Sequence, residues 1–260
     1  MDLGLSGKYA LVCASSKGLG KACALSLARE GANIVLNGRT PETLHQAATE
    51  VRSVARGTRV EIACCDITTE EGRAQALSVF DHIDIIVNNA GGPPPGDFRE
   101  WDKSNWVSAL NANMLTPIEL IRATIDSMIE QGFGRIVNIT SSAVKAPIST
   151  LGLSNGARAG LTGFVAGVAR QVAAHNVTIN GILPGRFDTD RLHAGIKFGA
   201  EESGRPVAEL FEEGKRSIPA ARYGDPTEFG ELCAFLCSEQ AAYITGQNIV
   251  IDGGAYPGTL

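Results

Sequence analysis

No stretch of this chain is long and apolar enough to span a bilayer, and no run or stripe of Lys and Arg interrupts its formal net charge of -5. The first absence removes any candidate transmembrane helix, which needs about 20 consecutive apolar residues. The second removes the electrostatic footprint expected of a nucleic-acid or membrane-surface binder. The opening "MDLGLSGKYA" has no basic segment followed by an apolar one, so no signal peptide is expected and the expected compartment is cytoplasmic. Histidine is scarce, with 4 residues, and the 6 cysteines include no Cys-x-x-Cys pair. No metal site is expected. Cys13, Cys64 and Cys65 fall on expected strands, and Cys23, Cys233 and Cys237 on expected helices. All read as buried free thiols, since cysteine packs as a small hydrophobe.

What the chain does have is alternation. Short β-branched apolar runs at 9–14, 33–38, 59–64, 83–88, 135–140, 177–183 and 248–251 are separated by helix-length periodic segments. Near-continuous hydrophobicity within each run is what a parallel sheet covered on both faces requires. One helix is expected from Leu19 to Glu30, closed by Gly31 in the usual C-terminal position, and another from about Leu161 to Ala174. With 260 residues, 44% of them hydrophobic and 20% charged, the chain suits a single domain over 1–260. Its expected class is α/β, a Rossmann-type doubly wound, seven-stranded parallel sheet with helices on both faces. The region 187–217 has weaker periodicity and several glycines, and is expected to form a lid.

"CASSKGLG" (13–20) follows the first run and opens the first helix. Small residues there let backbone N–H groups at a helix start approach a pyrophosphate, which marks Ser15, Ser16, Lys17, Gly18, Leu19 and Gly20 as a dinucleotide turn. The bland alternative is a tight strand–helix turn. The second run ends "NGRT", with Arg39 where a site for the unphosphorylated cofactor usually has an acid, and with no acid until Glu42. Lys17 adds a second cation, so NADP(H) is favoured over NAD(H). The alternative for Arg39 is a solvated loop side chain.

These residues resemble the short-chain dehydrogenase/reductase family over nearly the whole chain. "CASSKGLG" is similar to its Thr-Gly-x-x-x-Gly-x-Gly turn, with Cys13 and Ala14 at the first two positions. "CCDIT" resembles the segment whose aspartate, here Asp66 followed by Ile67, contacts adenine. "NNAG" (88–91) supplies Asn89, Ala90 and Gly91, "LPGRFDT" (183–189) supplies Pro184, Gly185 and Thr189 beside the nicotinamide, and "YITGQNIVIDGG" (243–254) is close to the C-terminal signature. The resemblance places the catalytic Asn at Asn113 and the catalytic Ser at Ser141. It implies a hydride-transferring enzyme in which Ser polarises a carbonyl, Tyr transfers the proton, Lys lowers the Tyr pKa and binds ribose, and Asn holds a relay water. It also implies a homo-oligomer, a homotetramer or homodimer.

The departure is sharp. The Tyr position falls on Ser154, thirteen residues after Ser141, and the Lys position on Arg158. With "GGPPPG" (91–96) and "SSAVKAP" (141–147), the chain resembles a divergent β-ketoacyl-reductase-like subgroup lacking Tyr-x-x-x-Lys. A phenol titrates near ~10 and a cation can draw it down, but an aliphatic hydroxyl starts far higher. Ser154 is therefore a poor proton carrier, and Arg158 cannot deprotonate, although it can hold ribose hydroxyls or a carboxylate in a fork. The i, i+4 spacing puts both on one helix face; alternatively, Ser154 caps the helix and Arg158 is solvated. Losing positioned acid–base help costs ~10²–10⁴ in rate, about 3–5 kcal/mol. Lys145, four residues past Ser141, is the candidate replacement donor or anion holder, with His193 of the lid behind it. Tyr9, Tyr223, Tyr243 and Tyr256 look misplaced for the role. The expected function is an NADP(H)-dependent oxidoreductase acting on a small-molecule carbonyl or alcohol. The alternatives are a dinucleotide-binding sensor or scaffold without turnover, and a non-redox lyase or isomerase.

Overall fold

The computed structural model describes residues 2–55 and 57–259; Met1, Arg56 and Leu260 lie outside the described residues. The elements follow in the order β1 (Tyr9–Val12), α1 (Gly18–Arg29), β2 (Asn33–Gly38), α2 (Pro41–Val54), β3 (Val60–Cys64), α3 (Glu70–Leu77), β4 (Ile85–Asn88), α4 (Lys103–Leu110), α5 (Thr116–Gln131) and β5 (Gly134–Ile139). After these come α6 (Gly152–Val172), β6 (Val177–Pro184), α7 (Asp190–Ser203), α8 (Val207–Arg216), α9 (Pro226–Cys237) and β7 (Asn248–Ile251). The strands form one parallel sheet in the order β3-β2-β1-β4-β5-β6-β7. Each strand lies within about two residues of its expected run. The chain starts in the middle of the sheet, winds to one edge, and returns to continue on the other side of β1. That reversal opens a crevice beyond the carboxyl ends of β1 and β4, where ligands of such sheets bind.

Two apolar clusters sandwich the sheet. Leu27, Ile34, Val87, Val137 and Phe229 centre one face. Leu11, Val35, Ile86, Ile136, Leu161 and Ile179 centre the other. Only the inner strands are buried on both faces. β3 and β7 are edge strands and half-exposed, which corrects the thiol expectation. Cys13, Cys23, Cys233 and Cys237 are buried, but Cys64 and Cys65, at the open end of β3, are partly exposed. Burial pushes the Cys13 thiol up to about 12, which leaves it inert.

α6 begins nine residues earlier than its apolar periodicity indicates. Its first turns are rich in glycine and in Ser and Asn, poor helix formers. Packing holds them. The Trp101 ring lies against Gly152, the Trp106 ring against Gly156 and the Met114 thioether against Gly160, and the two indoles meet edge to face at 6.3 Å. The 187–217 region is two short helices rather than a loop. α7 and α8 bury little, Ala200 and Gly214, and the short apolar stripe of α8, Val207, Leu210 and Phe211, stays partly exposed. Their base is fixed by Phe187, which is buried, bridges to Gly224 and meets the Phe229 ring at 5.5 Å. Among the described residues no helix is long and apolar enough to cross a membrane, and no group of three or more metal-ligating side chains gathers.

Candidate active site

The turn between β1 and α1 is drawn tight from below. Gly18 has φ +54, and a β-carbon on Gly20 would stand 2.5 Å from Ala14 O and 2.9 Å from Asn89 Nδ2. Ala14 takes φ +46, a left-handed conformation that L-residues rarely adopt. α1 starts without a side-chain cap: Lys17 precedes it in extended backbone, makes no capping bond, and the first turn holds no acid. Open N–H groups on the positive end of a helix suit a phosphate or pyrophosphate. Ser16 and Lys17 face outward here. Ser15 does not: its buried hydroxyl donates to Val12 O at 2.8 Å and accepts from Asn37 N at 3.0 Å, which fastens the turn to β2. Leu19 packs against the core.

Asn37, a polar residue following the apolar run Ile34–Leu36 of β2, was the available signal for a support that sequence reasoning misses. Its buried amide accepts from Ala14 N at 3.3 Å and donates to Ala63 O and Cys65 O, both at 3.1 Å. One side chain thus ties the turn to the ends of β2 and β3. Beside it, the Arg39 side chain is 78% exposed with Nη1 3.9 Å from Asp66 Oδ2. Asp66 accepts from Thr68 N at 2.9 Å and Thr68 Oγ1 at 2.8 Å. The Thr68 N–H is the chief cause holding its carboxyl below the usual range. The Ile67 side chain is buried in the core, so only its backbone is placed to meet a ligand.

At the other end of the crevice, Asn89 donates to Ala14 O at 3.3 Å, joining the segment after β4 to the glycine turn. Ala90 and Gly91 follow, and Gly91 has open space where a β-carbon would stand. Asn113 sits within a π-helical stretch, Asn111–Leu115, between α4 and α5. Such widened turns recur at functional sites. Its Nδ2 donates to Ala109 O at 3.3 Å and Gly91 O at 3.5 Å. Ser141 starts a short 3₁₀ turn after β5, and its Oγ accepts from Ala143 N at 3.1 Å. Lys145 closes that turn, its backbone N–H on Ser142 O at 3.0 Å, and its Nζ lies 5.8 Å from the Tyr256 ring centre.

Ser154 and Arg158 are both buried, at 7% and 8% exposure. Ser154 is inside α6, not capping it, and Arg158 is not solvated. The guanidinium donates through Nε to Ser154 Oγ at 3.1 Å and through Nη1 to Ile139 O at 2.8 Å and Thr140 O at 2.7 Å. Burial chiefly, and the charge of Arg191 secondarily, lower its pKa to about 10, leaving it cationic at neutral pH. The glycine turn and the region after β6 also meet. Pro184 ends β6, and Gly185 N donates to Ile251 O at 2.9 Å. Thr189 caps α7 and lies across from Gly18, its Cγ2 3.8 Å from where a β-carbon would stand. His193 packs between α7 and α8, its Nε2 2.6 Å from Asp188 Oδ1 and its ring stacked on Phe211. A cavity of about 430 Å³ borders Ser16, Lys17, Gly18, Asp188, Thr189 and Asp190 on the outer side of the turn. It reaches none of Asn113, Ser141, Ser154 or Arg158, and so is not the place where these groups act.

A family model described as enoyl-(acyl carrier protein) reductase matches residues 13–256. The 3-oxoacyl-[acyl-carrier-protein] reductase FabG of Aquifex aeolicus is 32% identical over 262 residues, 98% of this chain and 100% of the relative. Dehydrogenase/reductase SDR family member 4 of Oryctolagus cuniculus is 32% identical, covering 96% of this chain and 94% of its own. The crystal structure of L-sorbose reductase from Gluconobacter frateurii complexed with NADPH and L-sorbose superposes with a TM-score of 0.93 at 30% identity, covering 99% of this chain and 100% of the other. With the same sheet, the same turn at its switch point and such relatives along its whole length, the chain belongs to the short-chain dehydrogenase/reductase family.

Proposed function

We propose that this chain is an NADP(H)-dependent oxidoreductase interconverting a carbonyl and an alcohol, with Ser154 and Arg158 standing where the family pattern has Tyr and Lys. The dinucleotide supplies or accepts the hydride when bound. The observation carrying the reading is the Ser141 hydroxyl. Its acceptor side is taken by Ala143 N–H, so its own proton is left to donate to a carbonyl oxygen and polarise it. Arg158 adds a fixed buried charge behind that oxygen, where negative charge develops as hydride arrives. Asn113 fixes the Gly91 carbonyl and so the wall facing the nicotinamide. Lys145, closing the turn that Ser141 starts, delivers the proton that Ser154 cannot.

The open start of α1 fits a pyrophosphate, and Lys17 with the exposed Arg39 fits a 2′-phosphate. Relatives named as NADPH enzymes support the same preference. Exposed Trp106, Val107 and Leu115, near one another along α4 and the π-helical stretch, support a homodimer or homotetramer. We assign no nucleic-acid or membrane partner, and place the protein in the cytoplasm. A titration of NADP⁺ and NAD⁺, run beside a carbonyl screen followed by NADPH absorbance, tests the reading. Turnover that falls at least about 100-fold in Ser141→Ala, the lower range for a lost oxyanion donor, supports it. Tight NADPH binding with no carbonyl reduced sinks it in favour of a sensor, scaffold or non-redox lyase or isomerase. One observation favours that second reading: the hydroxyl at position 154 is aliphatic.

A further inference from the structure

Arg191, on the first turn of α7, reaches across the crevice and lies on the backbone of Gly92. A β-carbon there would stand 2.7 Å from Nη2, 2.9 Å from Nη1 and 3.2 Å from the guanidinium carbon. A side chain at position 92 would push the guanidinium off this position. Among the described residues Arg191 makes no ion pair and no hydrogen bond, whereas other cations of this region are engaged: His193 pairs with Asp188, and Lys21 with Glu50. The charge of Arg191 is felt by Arg158, whose hydrogen-bond partners are all neutral: one hydroxyl and two backbone carbonyls. Its Nη2 is bonded to nothing in the described protein. Thus two guanidinium groups near enough for one to disfavour the other's charge are each without a carboxylate hydrogen-bonded or ion-paired to them among the described residues. Like charges so placed cost free energy unless an anion joins them.

The chemistry of the missing partner follows from position. Arg158 holds the carbonyl of Thr140, the residue before Ser141, and Arg191 covers the residue after Gly91, whose carbonyl Asn113 binds. The charge therefore brackets the place where the substrate carbonyl lies under the reading proposed above, on which this inference rests. We propose that the substrate is an oxo or hydroxy acid with its carboxylate one or two carbons from the reacting carbon, held by Arg191 in a planar fork with Arg158 close by. Guanidinium matches a carboxylate in two parallel N–H···O bonds, and the free edge of Arg191 offers that geometry.

The test uses the protein saturated with NADP⁺, which cannot reduce a carbonyl. Pyruvate, acetoacetate and phenylpyruvate are titrated calorimetrically, each beside its methyl ester. At least one acid is expected to bind tenfold or more tightly than its ester. Arg191→Met is expected to abolish that difference and Arg191→Lys to keep part of it, since the charge survives without the fork. Arg191 supports no other side chain, so neither substitution is expected to unfold the protein. Acids and esters binding alike to the parent protein overturn the proposal. So does an acid–ester difference that survives Arg191→Met while NADP⁺ affinity falls, which would give Arg191 to the cofactor phosphates. Inorganic phosphate displacing the acid with equal affinity overturns the carboxylate assignment as well. NADPH oxidation on the same compounds separates the two readings: acid binding without turnover leaves the anion site standing and sinks the redox function, and turnover confined to neutral carbonyls does the reverse.

Discussion

Arg158 reaches back one helical turn to place Nε 3.1 Å from Ser154 Oγ while its Nη1 forks onto the last carbonyl of β5 and the next one. The Ser–Arg pair is therefore a built unit, not a vacated site. The serine oxygen accepts from the arginine, which turns the serine proton outward as a donor, as Ala143 N–H does for Ser141. Two hydroxyl donors and a fixed cation can polarise an oxygen. None of them can hand over a proton at neutral pH.

Restoring the familiar pair is expected to fail. In Ser154→Tyr with Arg158→Lys, a phenol must displace whatever packs a position only 7% exposed, and overpacking of that kind costs about 1–3 kcal/mol. Arg158 spreads its bonds over two nitrogens, Nε to Ser154 and Nη1 to the Ile139 and Thr140 carbonyls, whereas a lysine presents all its donors from one atom, so serving the phenol draws the ammonium off those carbonyls. Urea unfolding is expected to show a lower midpoint, and kcat/KM for ethyl acetoacetate to stay within about tenfold of the parent. A double mutant matching ordinary family reductases on that ester would refute this.

The sheet was legible because each strand is a short, predominantly apolar, β-branched run between turn residues, and the turn at 13–20 because its glycine and small residues fall between the first such run and the first helix. The start of α6 was not. Its helix rests on Trp101 and Trp106 filling the surfaces of Gly152 and Gly156, a tertiary contact that no local periodicity records. Asn37 and Arg191 were missed for a related reason. An isolated polar residue in a strand, or a charged one in a weakly periodic region, carries no motif; its meaning lies in Ala14 and Gly92, which come close only in the fold. Ser154 and Arg158 were found by spacing, but spacing left open whether they were buried.

Arg39→Ala is expected to weaken NADP⁺ by about 1.5–3 kcal/mol, the range for a hydrogen bond to a charged group, and to leave NAD⁺ nearly unaffected. The side chain is exposed and only loosely opposed by Asp66 at 3.9 Å, so it is free to turn onto a phosphate at little cost. Calorimetric dissociation constants for both dinucleotides decide it. Equal losses for the two would make Arg39 a general support of the β2 end.

Ala14→Gly is expected to stabilise the protein modestly. The left-handed φ of +46 costs an L-residue about 1–2 kcal/mol, and glycine returns part of that through its greater freedom when unfolded, about 0.5–1 kcal/mol. The net expectation is a gain of up to about 1 kcal/mol in urea, with cofactor affinity kept because the turn's shape is kept. A lower midpoint would mean that the alanine methyl contributes packing worth more than the strain it carries.

Lys145→Met tests the source of the proton. Ser154 is aliphatic and Arg158 titrates only at about 10, so neither accounts for a change in rate between pH 6 and 9. If Lys145 delivers the proton, kcat for reduction falls ~10²-fold or more, the lower end for general-acid help. NADPH affinity is expected to change by no more than a factor of a few, because the ammonium lies on the turn of Ser141 and towards Tyr256, away from the start of α1. A raised KM with kcat preserved would instead make Lys145 a holder of substrate charge, a third cation beside Arg158 and Arg191. Unchanged kcat with an unchanged pH profile would remove Lys145 from the reaction and leave water, reached through the space around Asn113, as the donor.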